Sequence, residues 1–134
     1  MKVRERRLGR SIRFLLPSLK LKQRLPGGGT IEQEVHGFLV ERFGGYTAAS
    51  GNLFGYWKDD AGDDSYGEHR EFTVALAGDE LLGELKRFLS ELAGKLEEEC
   101  LYLEEGEEAL LVYAATPSAP ATLPAPGTRP APAP

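Results

Sequence analysis

Residues 44–78, GGYTAASGNLFGYWKDDAGDDSYGEHREFTVALAG, carry the pattern from which the rest of the chain can be laid out. Phe72, Val74 and Leu76 alternate with Thr73 and Ala75, the period of two that gives a strand one buried face. Upstream, Asn52 to Trp57 holds three aromatics, Phe54, Tyr56 and Trp57, and suits the partner strand. Between them, Lys58 to Gly67 contains two glycines and Asp59, Asp60, Asp63 and Asp64, residues that favour turns and water over a core. The reading is a long hairpin at the centre of a small sheet.

Working backwards, Gly44-Gly45 marks a helix stop, since glycine takes the left-handed conformation a helix end needs. Thr30 is placed to cap that helix, with Gln33 at the capping-box position. Ile31, Val35, Phe38, Leu39 and Phe43 form its apolar stripe. Pro26-Gly27-Gly28-Gly29 is a break, and Ser18 to Leu25 suits either a resumed strand or a loop. Ser11 to Leu16 reads as the first strand, with Ile12, Phe14 and Leu16 on one face and Pro17 at its end.

Working forwards, Asp79 opens a second helix, where an acid suits both the cap and the macrodipole. Its stripe of Leu81, Leu85, Phe88, Leu89, Leu92 and Leu96 runs to about Glu98. Cys100 to Leu103 and Ala109 to Tyr113 read as short strands around a turn. Strand, helix, strand, strand, helix, strand is the split βαβ repeat. The expected class is α+β, a ferredoxin-like βαββαβ fold. Right-handed crossovers put both helices on one face of an antiparallel sheet, and the ending allows an extra C-terminal strand.

Three segments are expected: a basic N-terminal arm over 1–10, the ferredoxin-like domain over 11–115, and a Pro/Ala-rich, polyproline-like disordered tail over 116–134. Seven of the nine prolines lie in the tail, which leaves too little apolar surface there for a core. The net charge of −5 is uneven: residues 1–24 carry +8 and the remainder −13. Such an arm suits phosphate or an acidic protein surface, whereas the body is a poor match for nucleic acid. No apolar run approaches the roughly 18 residues of a membrane span. No apolar leader follows the basic start, because Arg13 interrupts the short run Ile12 to Pro17. A cytoplasmic protein with no membrane association is expected. Cys100 is the single cysteine, which excludes an internal disulfide and suits core filling at the head of its strand.

Several groups of residues are candidates for function. Asp59, Asp60, Asp63 and Asp64 would offer oxygen ligands to a divalent cation, or simply keep a hairpin tip wet; their spacing departs from a calcium loop. Tyr56, Trp57 and His69 would make a partner-binding surface on the hairpin, with Trp57 and His69 approaching across the strands, or serve only as cross-strand packing. His69 beside Glu68 would serve a base, but no nucleophile is evident. Arg4, Arg6, Arg7 and Arg10 would contact nucleic acid, although Phe14 is the lone aromatic among the arm's charges. His36 reads as a residue at the border of its helix's apolar stripe.

The runs LGRSIRFLLP (8–17), ERFGGYTAASG (41–51) and GYWKDDAG (55–62) resemble small uncharacterised bacterial proteins with a ferredoxin-like fold. The likeness covers about residues 8–113, leaves the tail outside, and implies a loose association with restriction and phage-defence gene clusters. It implies no catalytic set. The function expected from sequence is a non-catalytic binding or accessory module, without a cofactor, engaging a protein partner or a second copy through the hairpin. The alternatives are a small metal-dependent nuclease using the four aspartates, and a nucleic-acid binder using residues 2–24.

Overall fold

The structure, a computed structural model, describes residues 2–58 and 61–115. The tail expected over 116–134 therefore lies outside the described residues. Strand β1 (Arg10–Pro17) runs through the middle of the sheet. Helix α1 (Ile31–Phe43) follows, then strands β2 (Thr47–Ala48), β3 (Leu53–Lys58) and β4 (Asp64–Leu76). Helix α2 (Asp79–Lys95) leads to β5 (Cys100–Glu105) and β6 (Glu108–Tyr113). The fold is α+β, with six antiparallel strands in the order β2, β4, β1, β5, β6 and with β3 also on β4. This is compatible with a ferredoxin-like architecture, and β6 is the extra C-terminal strand.

The expected alternation sorts the sheet into two faces. Ile12, Phe14 and Leu16 from β1 lie with Phe72, Val74 and Leu76 from β4 and Leu101 and Leu103 from β5 in one core. Ile31, Val35 and Leu39 of α1 and Leu82, Leu85, Leu89 and Leu92 of α2 close that core from the same side. Phe14 and Phe72 stack with ring centres 5.5 Å apart. Phe38 and Phe88 stack at 3.9 Å and join the helices, as does the two-pronged Arg42–Glu84 pair at 2.9 Å for each bond. Among the described residues, neither α1 nor α2 lies on the other face of the sheet.

Local signals act as the physics demands at the first helix. Thr30 Oγ1 accepts from the Gln33 amide at 3.2 Å, while Gln33 Oε1 accepts from the Thr30 amide at 2.9 Å. Gly44 ends the helix at φ 81°. The second helix differs from expectation. Gly78 occupies its cap position with no side-chain cap, and Asp79 instead accepts from Arg10 Nη2 at 3.0 Å. The helix stops at Lys95, not near Glu98, because Glu97 takes the left-handed conformation at φ 57°. Ser18–Lys22 forms a short 3-10 helix rather than a strand. The arm is anchored at its end: Gly9, at φ 106°, lies so close to the Leu76 carbonyl that a Cβ would stand 2.1 Å from the oxygen.

The length of β4 shapes the site. β1 pairs with residues 69–76 of β4, and β3 pairs with residues 64–69 on the opposite edge. Residues 64–68 therefore continue past β1, and with β3 they form a two-stranded ribbon beyond the core.

Candidate functional site

Successive strand residues point to opposite faces. Cross-strand partners Leu53↔His69, Gly55↔Gly67 and Trp57↔Ser65 thus share the helix-free face, while Phe54↔Glu68 and Tyr56↔Tyr66 share the other. The structure divides the expected trio. Trp57 and His69 come together with ring centres 5.5 Å apart. Tyr56 lies across the ribbon, 5.3 Å from Tyr66.

Trp57 and His69 form one wall of a groove of about 440 Å³ on the helix-free face. Arg13 and Leu15 of β1 and Glu71 of β4 also line it, and Cys100, Tyr102 and Glu104 of β5 line the far side. Cys100 is thus half-buried at a groove, not in the core. Leu101 takes the buried position next to it.

The groove's charges are organised around one cation. Arg13 Nε lies 2.7 Å from Glu71 and its Nη1 lies 3.5 Å from Glu104. Tyr102 Oη donates to Glu104 at 2.7 Å. That bond and burial raise the phenol's pKa above its ordinary value. Glu98 pairs with Lys20 Nζ at 2.6 Å. Four carboxylates line the groove, those of Glu71, Glu98, Glu99 and Glu104, against the single guanidinium of Arg13. His69 is held below its ordinary pKa, chiefly by burial and against a smaller opposing pull from Glu98. The shift favours the neutral imidazole.

The other candidates fall elsewhere. Asp59 and Asp60 lie outside the described residues. Asp64 is exposed and stands 3.7 Å from Lys58 Nζ. Among the described residues no group of three or more His, Cys, Asp or Glu side chains could hold a metal ion. Arg10 pairs with Asp79 and, at 3.6 Å, with Glu105. Arg4, Arg6 and Arg7 are exposed and make no ion pair with a described residue. His36 Nδ1 meets Tyr46 Oη at 3.0 Å. No described helix is long and apolar enough to cross a membrane.

Sequence reasoning found Trp57 and His69 but missed Arg13, Glu71, Tyr102 and Glu104. The signal for Glu71 was present: it stands two residues after His69 in a strand and so shares its face. Arg13 likewise alternates with the buried Ile12 and Phe14. Tyr102 and Glu104 alternate with Leu101 and Leu103.

No protein-family model matches the chain, and no curated protein matches it. One solved structure to which it is similar is a phage SAM lyase in complex with S-methyl-5′-thioadenosine. The TM-score is 0.51 at 16% identity, over 84% of this chain and 97% of that one. At that identity the likeness speaks for the fold alone.

Proposed function

We propose that the chain is an enzyme that takes a sulfonium-bearing adenine nucleoside into the groove on the helix-free face and cleaves it as a lyase. The observation that carries the reading is the groove itself. It has the size of a single small-molecule site, it joins aromatic and aliphatic walls to an excess of carboxylates, and it sits on a fold similar to that of a SAM lyase. This departs from the non-catalytic module expected from the sequence.

The chemistry suits that electrostatic balance. When the bond from the sulfonium sulfur of SAM to its amino-acid carbon chain breaks, sulfur keeps the electron pair and leaves as a neutral thioether, S-methyl-5′-thioadenosine. The carboxylate of that amino-acid chain attacks the carbon that sulfur leaves and closes a lactone. A groove with surplus negative charge attracts the cation and holds the neutral thioether less tightly, through its contacts with the nucleoside alone. Arg13 keeps Glu71 and Glu104 fixed, so the field is set before the ligand arrives. The test is to incubate the full chain with SAM and follow thioadenosine by chromatography. Release well above the spontaneous rate is expected, with a loss of tenfold or more in Glu71→Gln. Release no faster than in buffer removes the proposal.

A second reading rests on a different surface. Tyr56 and Tyr66 are 60% and 51% exposed on the opposite side of the ribbon, beside Phe54, which is 70% exposed and also lines the groove, a run of aromatics of the kind that protein interfaces bury. We read it as the face that meets a protein partner or a second copy. Tyr56→Ser with Tyr66→Ser should then shift the molecular mass seen by light scattering toward that of a single chain. A mass identical to the unaltered protein's, in the presence of everything that co-purifies, counts against it.

A further inference from the structure

We propose that Trp57 is a stacking platform, the surface on which the flat base of the bound nucleoside lies, and that it sets the groove's preference for ligands with a planar heteroaromatic ring. This rests on the reading of the groove as a nucleoside site and adds the residue that selects the base.

Two glycines lie beside the indole. Gly55 and Gly67 face each other across β3 and β4. A Cβ built on Gly67 would stand 3.3 Å from Trp57 Cη2, 3.4 Å from Cζ2 and only 2.7 Å from His69 Cε1. A Cβ on Gly55 would stand 3.6 Å from Trp57 Cζ3. At Gly67 the indole and the imidazole therefore lean over bare backbone that a side chain would crowd, whereas a Cβ on Gly55 would make only ordinary contact. Trp57 lines the groove while Gly67, beneath it, does not. Neither glycine has the left-handed backbone that would itself require glycine. What Gly67 provides is room for the indole and the imidazole.

His69 completes the support. Its ring meets the indole at 47° rather than stacking flat on it, and the indole lines the groove. Trp57 is half-buried and belongs to the ribbon, apart from the core residues. The large apolar ring is thus displayed without a share in core packing, and base–aromatic stacking is the interaction such a ring offers. The carboxylates of Glu71 and Glu104 sit on other strands of the same groove. A base on Trp57 leaves the cationic end of the ligand within their field.

The chain contains one tryptophan, so its fluorescence reports on the platform alone. The full chain is titrated with S-methyl-5′-thioadenosine, with adenosine, and with S-methylmethionine, a sulfonium that lacks a base. The first two should change the emission and the third should not. By calorimetry, Trp57→Ala should weaken thioadenosine binding about tenfold or more, and Trp57→Phe should retain most of it. Gly67→Ala, which keeps the indole but displaces it, should weaken binding as well, with far-UV circular dichroism unchanged in all three variants. Thioadenosine bound equally well by Trp57→Ala and the unaltered chain overturns the platform and leaves the nucleoside site standing. No calorimetric binding of thioadenosine to the unaltered chain overturns both.

Discussion

His69 lies under two opposed influences. Burial disfavours its charged form and Glu98 favours it, with burial the larger. Its folded pKa is therefore below the unfolded value, so the unfolded chain binds more protons between the two. The stability that the neutral ring contributes is full above the ordinary histidine value of about 6.5. It is lost as pH falls from there through the folded pKa. An NMR titration of the His69 ring should show a midpoint below 6.5, and Glu98→Gln should move it lower still. A midpoint that rises in that variant would mean that the balance of causes is misassigned. At this scale the sequence was informative about neighbours across a hairpin and silent about neighbours across the sheet. Trp57 and His69 were placed together because strand pairing brings them within reach. Arg13, Glu71 and Glu104 come from three strands, and their meeting depends on which strands are adjacent and in what register.

Among the elements, the helices were the most legible, because their stripes repeat at the spacing of the turn. In α2 the buried leucines are Leu82, Leu85, Leu89 and Leu92, while Leu81 and Phe88 reach only the core's margin. Leu85→Ala should lower the unfolding free energy by about 2–5 kcal/mol, the range for a truncated core leucine, and Leu81→Ala by clearly less. Denaturant melts of the two variants measure this, and equal losses would contradict the assigned face. The capping box of α1 was readable to the residue, because Thr30 and Gln33 carry it in their side chains. The end of α2 was not, since it rests on the left-handed conformation of Glu97, which no residue type announces. β2 was missed for a related reason: two residues, Thr47 and Ala48, are too few to show a period.

The whole molecule's class followed from the order of elements and from which residues alternate. The groove did not, because it is an empty space defined by the distance between β3 and β5, which are separated in the sheet by β4 and β1. β4 ties these scales together. Its residues 69–76 are held by β1, and Phe72, Val74 and Leu76 are buried beneath the helices. Among the described residues, the strand partner of its residues 64–68 is β3 alone. One continuous backbone thus belongs to two cooperative units. Amides near Phe72 would exchange with solvent deuterium only when the entire domain opens, whereas those near Tyr66 would exchange through a small local excursion. The segment that carries Trp57 and its glycine bed can therefore breathe to admit a guest while the interior stays shut.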